Sequence, residues 1–149
     1  MFTIRKKFAI EYAHILDSAF SSCCSDTIHG HSGIIEVFFG SGFLNDDGMV
    51  IDFGLIKEKI KPYIMSFDHA LIISNKKNQE LLKKRQADLH YFNKNLKIVQ
   101  YNPTAENMAK DIYDNIKELM SDILNSHLWL IKVRFHETSS GWAEWSEEN

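Results

Sequence analysis

The sequence predicts an α+β fold built on a mainly antiparallel sheet. Three observations carry that expectation. Apolar and polar residues alternate at the start of the chain, where Phe2, Ile4, Phe8, Ile10 and Tyr12 interleave with Thr3, Arg5, Lys7 and Glu11. A period of two is the pattern of a half-buried strand. The same alternation returns at Ile35, Val37 and Phe39, and again at Trp129, Ile131, Val133 and Phe135. Between them, Pro103-Thr104 opens a helical pattern with Met108, Ile112, Ile116, Leu119, Ile123 and Leu124 on one face.

The other segments follow in order. Residues 17–26 are Ser-rich, contain Cys23 and Cys24, and read as a loop between two strands able to pair. Asn45-Asp46-Asp47-Gly48 is strong turn chemistry. Asp52 is placed to cap a helix with Leu55, Ile56, Ile60, Tyr63 and Ile64 on its apolar side. Pro62 is expected to kink or end that helix. Residues 75–95 form a charge-rich, partly helical excursion whose basic residues read as a solvated face. The whole chain, 1–149, is expected to be one domain.

Composition narrows the function classes. A chain of 149 residues can bury about 70% of its unfolded surface, enough for a real core. With 44% hydrophobic and 25% charged residues it is not a disordered chain. A net charge of −3 gives no general attraction for nucleic acid or an anionic membrane. The N-terminus has no secretory-signal pattern, and no apolar run reaches membrane-spanning length. Two adjacent cysteines make no disulfide framework, which fits a reducing, cytoplasmic setting.

The histidines carry the chemistry. In His29-Gly30-His31 the two imidazoles share one strand face, so they can hold one metal ion together. His14 has the parity of Phe8, Ile10 and Tyr12, and therefore also faces the buried side. Three histidines with an open fourth position suit a catalytic zinc, with iron and nickel as other candidates. His29, His31 and Glu36 also match the first cupin metal motif, but neither Pro62 nor Pro103 supplies the Pro-x-Gly turn of a second cupin block. Asp68 beside His69 can orient an imidazole. Glu137 continues the parity of Val133 and Phe135, so an apolar strand face ends in a carboxylate that needs a partner or a ligand. A planar ligand edge with two N–H donors would satisfy it. Cys24 and Cys23 precede the metal motif closely enough to act as base, nucleophile or further ligand, or to be inert.

Taken in order, these pieces resemble the 6-pyruvoyl-tetrahydropterin and 6-carboxy-tetrahydropterin synthase family. The resemblance rests on Ala13-His14, a cysteine before His29-Gly30-His31-Ser32, Gly48-Met49-Val50-Ile51-Asp52-Phe53, Asp68-His69, Pro103-Thr104-Ala105-Glu106-Asn107 and His136-Glu137-Thr138. It implies the tunnelling fold, in which two helices pack on one sheet face and sheets from several subunits join into a barrel. It implies a homohexamer of two trimers with active sites between subunits. His14, His29 and His31 become the zinc ligands, Cys24 (or Cys23) the proton acceptor, and His69 its partner, oriented by Asp68. Glu137 becomes the pterin anchor, with Glu106 and Thr104 supporting the substrate site. The substrate implied is 7,8-dihydroneopterin triphosphate. Asp52-Phe53 and Trp142-Ala143-Glu144 look like the carboxy branch, a zinc-dependent lyase of queuosine biosynthesis. The pyruvoyl branch, serving biopterin synthesis, is the alternative, and a zinc- and pterin-binding protein without turnover is a third reading. The chain departs from the family where Asp68-His69-Ala70-Leu71-Ile72-Ile73-Ser74 lacks the usual Asn, and in the length of the 75–95 excursion.

Overall fold

The computed structural model describes residues 1–85 and 95–147. Its centre is a six-stranded sheet in the order β4-β3-β1-β2-β5-β6. Strand β1 (Phe2–Ile15) and strand β2 (His29–Ser41) form the longest pair, antiparallel from Phe2↔Ser41 to His14↔His29. The alternation read from sequence holds along both. Phe8, Ile10, Tyr12, His14, Ile35, Val37 and Phe39 face the core, while Arg5, Lys7 and Glu11 face outward. The Ser-rich connection contains one short helix, α1 (Ser22–Ser25), carrying both cysteines.

Helix α2 (Phe53–Ile64) starts where the Asp52 carboxylate accepts the Gly54 N–H. It buries Ile56, Ile60 and Ile64, and Pro62 does not stop it until a 3₁₀ turn follows at Met65–Phe67. Helix α3 (Asn75–Arg85) is the helical part of the charged excursion. The rest of that excursion, 86–94, lies outside the described residues. Helix α4 (Ala105–Leu119) is capped by Thr104, whose hydroxyl accepts the Asn107 N–H. It buries Met108, Ala109, Ile112, Tyr113 and Ile116. Leu119 ends the helix and is 40% exposed. Ile123 and Leu124 pack on the core from beyond the helix end rather than from its face. Residues of α2 and α4 share one hydrophobic core with the inner sheet face.

Strand β3 (Ala70–Ser74) runs parallel to β1, and β4 (Leu96–Val99) parallel to β3, so the sheet is mixed. Every residue of β3 is buried. A short continuous apolar run has no period to reveal it as a strand. Strand β5 (Leu128–His136) pairs with β2, and β6 (Trp142–Trp145) closes a hairpin on β5. The expected face of β5 needs correction in its first half. Phe38 pairs with Lys132 but Phe39 with Leu130, so Ile131 is an extra residue in a bulge. Leu128 and Leu130 therefore enter the core with Val133 and Phe135, and Trp129 and Ile131 do not. The Trp129 ring covers Gly40 closely; a Cβ there would lie 2.9 Å from it. Among the described residues no helix is long and apolar enough to cross a membrane.

Candidate active site

The β1–β2 register sets His14 opposite His29 and Tyr12 opposite His31. All four side chains leave the sheet on its inner face, so the three imidazoles meet at the end of the strand pair. One ligand nitrogen from each lies within 4.8 Å of the other two. Backbone carbonyls fix two of the rings. His14 Nδ1–H donates to the Pro103 carbonyl at 2.9 Å, and His29 Nδ1–H donates to the Thr27 carbonyl at 3.0 Å. A neutral imidazole that donates from Nδ1 keeps its Nε2 lone pair free. The two Nε2 atoms are 3.0 Å apart. His31 Nε2 is buried and has no hydrogen-bond partner among the described residues.

Electrostatics disfavour protonation of His14 and His31. Burial lowers the His14 pKa to about 4, against the opposing pull of the Pro103 carbonyl and with help from His29 and His31. Burial also lowers that of His31, partly offset by the Glu137 carboxylate. Glu137 Oε1 stands 3.3 Å from His14 Nε2 and 3.7 Å from His31 Nε2. Three imidazole nitrogens and a carboxylate oxygen thus converge on one point, an arrangement that suits a bound cation. The donor set fits a borderline-soft divalent ion such as zinc, held by His14, His29 and His31. Each Nδ1–H bonded to a carbonyl is the outer support that metal-binding histidines ordinarily carry.

Glu137 follows the last residue of β5. Its N–H and that of Thr138 both donate to the Gly141 carbonyl, which holds the carboxylate at the mouth of the β5–β6 hairpin. Tyr12 is the neighbour that sequence reading passed over. It reads as one more core aromatic, yet its hydroxyl is buried without a partner among the described residues. Burial and the Glu137 charge both raise its pKa.

The cysteines lie on α1, in the connection between β1 and β2. The Leu16 N–H donates to the Cys24 carbonyl at 2.9 Å, tying α1 to the end of β1. Cys23 is exposed and Cys24 half-buried, with their sulfurs 3.7 Å apart. Hydrogen bonds from the Ser21 hydroxyl and the Cys24 thiol lower the Cys23 pKa. Its partnership with Cys23, then burial and the charges of Cys23 and Glu137, raise that of Cys24.

Asp68 and His69 do pair, with Asp68 Oδ2 3.0 Å from His69 Nδ1. The Glu11 N–H donates to Asp68 Oδ1 at 2.8 Å, and this bond, with help from His69, holds the Asp68 carboxyl below its usual range. His69 adopts a left-handed backbone, φ 54°, rare for a residue with a side chain. Its side chain is 79% exposed. The pair is fastened to Glu11, whose side chain points away from the face of the three imidazoles. A shallow cavity of about 410 Å³ adjoins it, lined by residues including Glu11, Gly30, Ser32 and His69. Thr104 is engaged as the helix cap, and Glu106 is exposed in the first turn of α4, outside the imidazole group. The share of the PTAEN block in this site is the Pro103 carbonyl on His14, which no residue type signals.

A curled mixed sheet with helices on one face and a three-histidine centre at a strand end defines a protein of the tunnelling-fold class. The family model described as 6-pyruvoyl tetrahydropterin synthase matches residues 3–148. The chain belongs to that family. It is 30% identical over 145 residues to a 6-carboxy-5,6,7,8-tetrahydropterin synthase of Helicobacter pylori, covering 95% of this chain and 70% of the relative. The enzyme of the same name from Aquifex aeolicus is 34% identical over 122 residues, covering 81% and 75%. That from Haemophilus influenzae is 30% identical over 152 residues, covering 99% and 100%. Among solved structures, the uncharacterized protein WS1659 of Wolinella succinogenes superposes with a TM-score of 0.80 at 20% identity, covering 99% and 98%. The 6-pyruvoyl tetrahydropterin synthase of Caenorhabditis elegans superposes with a TM-score of 0.67 at 19% identity, covering 99% and 96%.

Proposed function

We propose that this protein is a zinc-dependent 6-carboxy-5,6,7,8-tetrahydropterin synthase acting in queuosine biosynthesis. The observation that carries the reading is the convergence of the His14, His29 and His31 lone pairs beside Glu137, in a chain whose relatives bear that name. The substrate is 7,8-dihydroneopterin triphosphate, and the products are 6-carboxytetrahydropterin, acetaldehyde and triphosphate, with uptake of water. Zinc supplies Lewis-acid polarisation of the substrate's side-chain oxygens, which acidifies the adjacent C–H groups.

The chain's own groups do the rest. His14, His29 and His31 present ring nitrogens to the metal; burial disfavours protonation of His14 and His31, and the Pro103 and Thr27 carbonyls hold the rings of His14 and His29 in place. Cys24, as its thiolate, accepts a proton from the substrate side chain, with the Cys23 sulfur 3.7 Å away. Glu137 accepts the N–H donors of the pterin's amino-pyrimidine edge. Thr104 and Glu106, just beyond the carbonyl that orients His14, border the ligand. His69, exposed and held by Asp68, serves the thiol of a neighbouring subunit in this reading, with the site at a joint between subunits of a homohexamer.

Mass spectrometry of the products formed from dihydroneopterin triphosphate tests the reading. The expected products are the 6-carboxy compound and acetaldehyde. A 6-pyruvoyl product would move the protein to the other branch of the family. Absence of turnover by the metal-loaded protein would leave a zinc- and pterin-binding role.

A further inference from the structure

Tyr12 carries a hydroxyl that is buried, unpartnered among the described residues and attached to a residue only 4% exposed. Such a group costs stability unless something meets it in another state of the protein. Its ring does not stand straight out from β1. It leans diagonally across β2, because a Cβ on Gly33 would lie 2.9 Å from Tyr12 Cε1. Gly33 is thus the gap through which the ring crosses. On the far side it meets Phe135 edge-on, with centroids 5.6 Å apart. Ile34 pairs with His136, a Cβ on Gly33 would lie 3.3 Å from the His136 carbonyl oxygen, and Glu137 is the next residue at that strand end. The phenol therefore extends from β1 across the glycine toward the strand end that carries Glu137. As the structure stands, Glu137 leans instead on His14 and His31, the position from which a bound cation would compete for it.

We propose that Tyr12 is a positioning residue for Glu137, its hydroxyl donating to the carboxylate in the ligand-bound state, with Gly33 kept open so that the ring can cross. The inference rests on the reading of Glu137 as the pterin anchor. A phenol donor on one carboxylate oxygen fixes the direction of the other lone pairs toward a ligand edge with paired N–H groups. It also gives the half-buried carboxylate a charge-assisted hydrogen bond.

Pterin affinity, read by titrating pterin fluorescence against the metal-loaded protein, tests this. Glu137→Gln should weaken binding by about tenfold or more. Tyr12→Phe removes only the hydroxyl and should weaken it by ~5–10-fold, the scale of one charge-assisted hydrogen bond, with metal content unchanged. In the Glu137→Gln background, Tyr12→Phe should cost nothing further, whereas a role in packing alone would cost the same in both backgrounds. Gly33→Ala, which displaces the ring, should reproduce the loss in the wild-type background and add nothing to Tyr12→Phe. If Glu137→Gln weakens binding and Tyr12→Phe does not, the inference fails while the anchor stands. If Glu137→Gln binds pterin normally, the anchor reading fails and takes this inference with it.

Discussion

His14 and His29 face each other across the first two strands with their Nε2 atoms 3.0 Å apart and both Nδ1 atoms committed to backbone carbonyls. In the neutral state this opposes two lone pairs, and the His31 nitrogen and the Glu137 carboxylate add two more groups of the same polarity. A divalent cation turns that repulsion into the strongest bond in the region. We expect one zinc per chain by elemental analysis, and a lower melting temperature after chelation. Ligand at 1,000 times its Kd stabilises a fold by about 4 kcal/mol. The His29→Ala/His31→Ala double variant should retain no stoichiometric metal; full occupancy in it would exclude these ligands.

The metal-free protein should lose stability in mild acid through His14. Its folded pKa, lowered to about 4 by burial, lies below the 6.5 of an unfolded histidine. The unfolded chain therefore takes up the proton first. The contribution is fully present above pH 6.5 and is lost as the pH falls toward 4, with a slope of at most about 1.4 kcal/mol per pH unit for one proton. Urea unfolding of the chelated protein at pH 7.5, 6 and 5 measures it. A His14→Gln variant should show a flatter profile over that window.

The two thiols can be separated by substitution. Cys24→Ala should lower the rate by about 10²-fold or more, the scale of a lost general base, with zinc retained. Cys23→Ala should cost far less. Steady-state rates and metal content of both variants decide between them, and a dead Cys23→Ala protein with an active Cys24→Ala protein would reverse the assignment.

His69 and Cys24 should belong to different subunits within one active site. Each of Cys24→Ala and His69→Ala should be inactive alone. Mixed after dissociation and reassembly, they should regain activity, since some joints then carry an intact Cys24 and an intact His69. Rates of the mixed assembly against the two parents measure this. A mixture as inactive as its parents would confine the chemistry to single chains.

Much of this protein was legible in order and parity. The alternation in β1 and β2 fixes which face His14, His29 and His31 share, because a strand offers only two. Thr104 and Asp52 mark helix starts because a side-chain acceptor must meet a free N–H there. Other features have no local signature. The β3 strand is apolar from Ala70 to Ile73, so no period separates strand from helix, and four-residue strands such as β4 and β6 are too short to show one. The bulge at Ile131 inserts one residue and inverts the faces of Trp129 and Leu130. Its position depends on pairing with β2 and not on the residues of β5 alone.

By itself the sequence determined the three imidazoles on one sheet face, the carboxylate at the end of an apolar strand and the family to which they belong. These depend on residue identity and on a backbone period of two, which are local. Only the tertiary structure decided that the carbonyls of Pro103 and Thr27 select the imidazole tautomers, since every residue has a carbonyl and only folding brings one to a given ring. Only it separated Asp68-His69 from the imidazole face, because the parallel pairing of β3 with β1 ties that pair to Glu11. The Tyr12 ring crossing at Gly33 is of the same kind. Residues 21 apart in sequence meet there because β1 and β2 pair in that register and no other, and the space one leaves is the space the other fills.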